Sequence, residues 1–226
     1  MAEPKFRHEF KHYINLSDYF GLRSRLRAVA KLDKFVGDDG TYTIRSIYFD
    51  NIYDKALLEK LNGINRREKF RLRYYNDNID FIKLEKKSKI NGLCLKESVT
   101  VSEQEVREIL KGNYDCLKSS DENSLMHELY RKIISQQLRP RTIIDYTREA
   151  YIFPAGNVRV TIDSNIRTGM NSIDFLNPDL TTLSTGKEII LEVKYDEFIP
   201  RVITDIVQSK DRKVTAFSKY AACRIV

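Results

Sequence analysis

Lys69-Phe70-Arg71-Leu72-Arg73 sets three cations on one face of a strand and two apolar side chains on the other. Successive side chains of a strand point to opposite faces, so same-face neighbours stand ~7 Å apart. The alternation recurs in Lys83-Leu84-Glu85-Lys86-Lys87, Tyr146-Thr147-Arg148, Val158-Arg159-Val160-Thr161-Ile162-Asp163 and Ile190-Leu191-Glu192-Val193-Lys194. One such strand describes any half-solvated sheet. Five of them, with Lys and Arg outnumbering the acids, describe a sheet surface built to hold a polyanion.

The turns and helices around these strands read as follows. A first strand covers residues 5–13, and Asn15-Leu16-Ser17-Asp18 opens a helix carrying Leu22, Leu26, Val29 and Ala30 at helical spacing. Gly37-Asp38-Asp39-Gly40 is a turn before a strand over 41–49. A short helix over 53–61 ends at Asn62-Gly63. Strands over 67–75 and 79–88 flank Asn76-Asp77-Asn78 as a hairpin. Asn91-Gly92, which suits a type I′ turn, joins the second of them to a strand over 93–101. Ser102 and Glu105 form a capping box for a helix that stops at Gly112. Another helix runs over 124–138 with Pro140 closing it. Strands follow over 141–152, 157–165 and 187–195, with 166–186 as a loop, and the tail from Arg201 holds one or two short helices.

The expected fold is therefore α+β: eight mostly antiparallel strands with helices covering their apolar faces. Closing the sheet into a barrel turns the charged faces inward around one elongated ligand. The 226 residues carry 42% hydrophobic and 31% charged side chains, and no repeat or linker divides them, so a single domain over 1–226 is expected. The net charge of +7 favours an anionic partner. Three cysteines without Cys-x-x-Cys spacing argue against a disulfide framework or a zinc site. The start at Met1-Ala2-Glu3-Pro4 shows no signal peptide. No apolar run approaches the ~20 residues a membrane span needs, so a soluble, cytoplasmic protein is expected.

Individual residues carry the chemistry. Guanidinium forks suit phosphate oxygens, which directs attention to Arg71 and Arg73. Glu192 and Lys194 form an acid–x–base pair on an otherwise apolar strand, repeated in Glu85-Lys86-Lys87 and Glu9-Phe10-Lys11. Glu192 reads either as a ligand for Mg²⁺ or Mn²⁺ beside phosphates or as half of a cross-strand ion pair. Asp163 shares a face with Arg159, and pairs with it or reaches a metal. Ser218-Lys219-Tyr220, taken alone, reads as an exposed basic helix end. His8, His12 and His127 have surface or core-edge positions, and no Walker loop, Gly-x-Gly-x-x-Gly or Ser-His-Asp order is present.

In this order the motifs Lys69 to Tyr74, Leu84 to Lys87, Tyr146 to Arg148, Arg159 to Asp163, Leu191 to Tyr195 and Phe217 to Tyr220 resemble the VTC domain, a triphosphate tunnel metalloenzyme family related to the CYTH phosphatases. The resemblance spans Phe6 to Tyr220. It implies an eight-stranded antiparallel tunnel in which the γ-phosphate of ATP is transferred to a growing inorganic polyphosphate chain with Mn²⁺ or Mg²⁺. Carried over by position, Arg71, Arg73, Lys83, Arg148 and Lys194 would be catalytic. Lys11, Lys69, Lys87, Arg159, Ser218 and Lys219 would grip phosphates, and Glu192 with Glu85 would hold the metal. Two departures stand out. Arg7 occupies the place of the first acid in a Glu-x-Glu-x-Lys motif, and Ala216 replaces a Lys before Phe-Ser-Lys, with Lys213 one turn away. The alternatives are a tunnel triphosphatase, a non-catalytic polyphosphate-binding module and, last, an RNA-binding domain. No specific nucleic-acid partner is expected, because the bases alternate along strands rather than cluster with aromatics.

Overall fold

A computed structural model describes residues 6–208 and 215–225. Ten strands belong to one antiparallel sheet: β1 (His8–Ile14), β2 (Lys31–Leu32), β3 (Tyr42–Asp50), β4 (Arg67–Tyr75), β5 (Asn78–Ile90), β6 (Leu93–Val101), β7 (Arg139–Phe153), β8 (Val158–Thr168), β9 (Leu183–Ser184) and β10 (Ile189–Tyr195). Eight of them run in the order β1-β10-β8-β7-β3-β4-β5-β6, while the two-residue strands β2 and β9 attach to β7 and β8. The sheet curls until its end strands meet. Arg7 and Cys94 exchange backbone hydrogen bonds of 3.0 and 3.1 Å, joining the start of β1 to the start of β6. The closed antiparallel sheet expected from the alternation, with the tunnel form that the resemblance implies, is the architecture observed.

Turn chemistry sets the register. Asn76 and Asp77 take φ of 51° and 55°, and Asn91 and Gly92 take 50° and 82°. Both hairpins thus use two left-handed residues, as type I′ turns require. The register that follows places Arg71 opposite Glu85, and Lys87 opposite Lys69 and Lys96.

Helices α1 (Leu16–Val29), α2 (Lys55–Leu61), α3 (Glu103–Lys111), α4 (Asp115–Lys118), α5 (Leu125–Gln136), α6 (Arg201–Val207) and α7 (Lys219–Arg224) cover the sheet. Asn15 and Ser102 each form the full capping box at the start of α1 and α3, an arrangement that contributes about 1 kcal/mol. Outside the barrel, Phe70 and Leu72 of β4, with Ile82 and Leu84 of β5, bury against Val106, Ile109, Leu117 and Leu129 of α3 to α5. A second outer layer sets Leu22 and Leu26 of α1 and Ile203 of α6 on Val160, Leu191 and Val193. A third apolar cluster lies within the curl, where Tyr220, Ala221 and Cys223 of α7 meet Ile44, Ile144, Ile166 and Ile190.

Three expectations change. Pro140 does not close a helix: α5 ends at Gln136, Gln137 turns left-handed at φ 57°, and Pro140 is the second residue of β7. Strand β8 continues to Thr168 and recruits β9 from the stretch read as a loop. Helix α7 is no exposed basic end, since Tyr220 is 1% exposed and Ser218 8%. No helix among the described residues is long and apolar enough to cross a membrane.

Candidate functional site in the tunnel

The inward faces of the strands enclose a cavity of about 680 Å³. It runs the length of β4, from Arg67 at its first residue to Tyr75 at its last, ~26 Å of strand. Fourteen Lys and Arg side chains line it against three carboxylates, Glu9, Glu68 and Glu192. Cations held this close repel one another unless an anion lies between them, and nothing in the wall supplies enough negative charge.

The carboxylates near the cavity are each used to hold several bases. Glu85 is 1% exposed. Its Oε2 accepts from Arg71 Nε at 2.8 Å and Nη2 at 2.6 Å, its Oε1 accepts from Lys96 at 2.9 Å, and Arg73 lies 3.8 Å away. Burial raises its pKa, but Arg71, Arg73 and Lys96 outweigh that and hold it well below the usual carboxylate range. Both oxygens of Glu85 are engaged by bases and it is not among the residues that line the cavity, so the geometry lends no support to the metal role expected for it. Asp163 is fully buried and accepts from Arg148 Nε at 2.6 Å and Nη2 at 2.8 Å as well as from Lys219. The pairing expected with Arg159 is not the one formed. Arg159 instead reaches Asp33 at 2.6 Å and donates to the Tyr42 hydroxyl at 3.0 Å.

Glu9 and Glu192 stand side by side on β1 and β10, where Lys11 pairs with Glu192 and Glu9 with Lys194. Lys11 lies 3.1 Å from Glu192 and 3.5 Å from Glu9; Lys194 lies 2.7 and 3.7 Å from them, and Lys87 lies 2.6 Å from Glu9. Burial and Glu192 push the Glu9 carboxyl up, yet the three lysines bring it down to about 2. Glu192 is likewise held well below its usual range, against its burial, by Lys194, Lys11 and Lys87. Both are ionised at neutral pH. Among the described residues no group of three or more His, Cys, Asp or Glu could hold a metal ion by itself. Mg²⁺ and Mn²⁺ nonetheless bind through one or two carboxylates when phosphates and water complete the shell. This pair fits that mode.

The other expected residues fall as follows. Arg71, Arg73, Arg148, Lys194, Lys11, Lys69, Lys87, Arg159, Ser218 and Lys219 all line the cavity. Lys83 does not. It lies opposite Arg73 on β5, with its ammonium 5.0 Å from the Phe81 ring centroid. Ser218 caps α7, its hydroxyl oxygen accepting from Ala221, and it faces the cavity beside Ala216. Lys213 lies outside the described residues. Arg7, the departure from the acidic motif, lines the cavity and pairs with Asp196 at 2.8 Å.

Sequence reasoning missed Lys60, Arg67, Lys89 and Lys96, which extend the basic wall. Arg67 and Lys89 lie in register with the quoted alternation and could have been found by continuing it one step. Lys60 projects from α2, and its place depends on packing alone. The tyrosine hydroxyls were also missed: Tyr48 accepts from Arg71 at 2.7 Å and Tyr146 from Arg73 at 3.0 Å.

Burial and Glu192 act to raise the Asp163 pKa, but Arg148 and Lys219 bring it down to about 2. An unfolded aspartate titrates near ~3.9. The folded value is the lower one, so the stability it contributes is present above ~4 and is lost as pH falls through about 2. Urea unfolding followed from neutral to strongly acid pH is expected to show that loss in this window. A flat profile there removes the ion triad as a stabilising element.

An antiparallel tunnel with a cationic lumen defines this protein as a member of the tunnel-fold class. The VTC domain profile matches residues 6–226, and the chain belongs to that family. Solved structures share the fold at low identity. A candidate adenylyl cyclase from Hippeastrum with a dominant triphosphatase activity aligns over 95% of this chain and 93% of its own, with TM-score 0.54 and 14% identity. A candidate adenylate cyclase from Bacillus halodurans aligns over 84% and 81%, with TM-score 0.52 and 14% identity. Likeness at this level establishes the fold alone. No curated protein matches the chain.

Proposed function

We propose that this VTC domain is a metal-dependent polyphosphate polymerase that moves the γ-phosphate of ATP onto inorganic polyphosphate inside the tunnel. The surplus of cations along a cavity as long as β4 carries this reading. A chain of phosphates has a charge at every repeat and matches β4, where Arg67, Lys69, Arg71 and Arg73 set a cation at every second residue along the wall. Family membership supports the same substrate class.

Phosphoryl transfer depends mainly on positioning and charge neutralisation. A terminal oxygen of the polyphosphate attacks the γ-phosphorus, the bond from that phosphorus to the bridging oxygen of ADP breaks, and ADP leaves. Arg71 and Arg73, fixed by Glu85 and the Tyr146 hydroxyl, present guanidinium groups from one wall. Arg148 and Lys219, fixed by Asp163, present charge beside them around the Tyr146 ring. Lys11, Lys87 and Lys194 hold the carboxylate pair and face the same space. Glu192 with Glu9 would hold Mn²⁺ or Mg²⁺, which would supply further neutralisation of phosphate charge.

A triphosphatase is the second reading, favoured by the retained pair of ionised carboxylates, Glu9 and Glu192. Incubation with ATP and Mn²⁺, resolved on a gel stained for polyphosphate and assayed for free phosphate, separates the two. Long chains with ADP are the expected products. Orthophosphate alone establishes the triphosphatase. Silence in both, with polyphosphate still raising the melting temperature, leaves a binding module.

A further inference from the structure

Tyr48 stands on β3 opposite Arg71, in the middle of the tunnel wall, and is 3% exposed. Its hydroxyl accepts from Arg71, the Lys69 ammonium lies 5.2 Å from its ring centroid, and its ring stacks on Tyr220 at 5.2 Å. Among the described residues its hydroxyl finds no acceptor for its own proton. The groups around it are cationic or already engaged. Lys69, Arg71 and Arg73 come from β4; Glu85 of β5 is taken by Arg71 and Lys96; and Tyr220 of α7 donates to Asp50. Tyr42 is placed differently, because the arginine it faces already has Asp33. Lys69 forms no ion pair with a carboxylate among the described residues. A half-buried cation without a counter-charge is costly, and the phenol beside it is the group able to supply one.

We propose that Tyr48 is the tunnel's removable counter-charge: a phenolate while the tunnel is empty, reprotonated from solvent when a chain of phosphates takes over the neutralisation of Lys69 and Arg71. Phosphate loading is then coupled to proton uptake. The direction of the shifts agrees. Burial raises the Tyr48 pKa, but Arg71, Lys69 and Arg73 bring it down to about 7. Lys69 is brought down to about 7 by burial and by Lys87, Lys11 and Arg71, against the pull of Tyr48. An incoming polyanion reverses both shifts, so both groups gain proton occupancy, and affinity for phosphate chains falls as pH rises through about 7.

The proposal rests on the reading of the tunnel as a phosphate-chain site, and its test keeps the two apart. Tripolyphosphate is titrated calorimetrically at ~pH 8 in buffers of different ionisation enthalpy, with wild type and Tyr48→Phe in parallel. Wild type is expected to take up about one more proton per bound chain than Tyr48→Phe. The variant, lacking one negative charge, is expected to bind at least as tightly. Equal proton uptake by the two proteins overturns the proposal. The ultraviolet phenolate signal of the free protein is followed against pH as an independent reading. A phenol titrating near neutrality in wild type and missing from Tyr48→Phe supports the counter-charge, and its absence from wild type overturns it even if no tripolyphosphate binds. Failure of wild type to bind tripolyphosphate overturns the functional reading and the proton coupling, while the phenolate titration still decides the state of Tyr48. Where Tyr48→Phe does not fold, Lys69→Gln replaces it: removal of the cation is expected to move the phenol titration to higher pH, and an unmoved titration overturns the pairing.

Discussion

Alanine at position 163 lowers the stability of the ligand-free protein by about 3–5 kcal/mol, the cost of stripping the partner from a buried charge. Asp163 is fully buried, and among the described residues it is the carboxylate paired with both Arg148 and Lys219. Its loss leaves a guanidinium and an ammonium, each about 10% exposed or less, facing each other with nothing between them. Lys219 begins α7, so the start of the helix that fills the curl loses its ion pair to β8, while Thr168 still donates to the Cys223 carbonyl at its other end. A phosphate chain supplies the missing negative charge. Tripolyphosphate at a hundred times its Kd stabilises by about 2.7 kcal/mol and is expected to recover most of the loss. Urea unfolding of Asp163→Ala with and without tripolyphosphate measures both effects. A loss below ~1 kcal/mol shows that Arg148 and Lys219 are satisfied in other ways, as weakly coupled exposed pairs are.

Glu192→Gln separates chemistry from stability in the opposite sense. Turnover of ATP into polyphosphate is expected to fall by about 10²–10³-fold, the usual effect of losing one electrostatic contact to the transition state, and its response to Mn²⁺ is expected to disappear. The fold survives because Lys11 and Lys194 both retain Glu9 as a partner. The glutamine keeps the shape of the side chain and removes its charge. The two variants thus test redundancy: the Glu9–Glu192 pair shares its lysines, while among the described residues Asp163 is the carboxylate that holds both Arg148 and Lys219. Activity measured across a Mn²⁺ series, beside a thermal unfolding curve, decides the point. Unchanged Mn²⁺ activation in Glu192→Gln removes this residue as a metal holder.

Much of the lumen was legible in the alternation of β4, β5, β8 and β10, because a strand's pleat fixes which side chains share a face. Ten of the eleven cationic or hydroxyl residues expected there do line the cavity. Lys83 fails although Arg73, its register partner, lines the cavity: its ammonium lies 5.0 Å from the Phe81 ring centroid instead, so register alone does not decide where a long side chain reaches. Glu85 is placed behind the cavity wall for another reason. The spacing Glu-x-Lys drew attention to Lys87, whereas the barrel register set Arg71 across from Glu85 and Lys96 close by.

Local chemistry, read from the sequence, determined where the chain turns, which strand faces are charged and that the charge surplus is positive. Asn-Gly and Asn-Asp dipeptides place left-handed backbone where each hairpin needs it, and no distant contact is required for that. The tertiary structure alone decided which acid meets which base. Arg148 and Asp163 are 15 residues apart, Lys219 and Asp163 are 56, and Lys87 and Glu9 are 78. It also decided that α7 fills the curl instead of lying in solvent, and that a tyrosine on β3 stands beside Lys69, which has no carboxylate partner among the described residues. Periodicity is a property of one strand, but ion pairing and burial are properties of how strands are staggered and closed, and the closing contact joins Arg7 to Cys94 across the whole sheet.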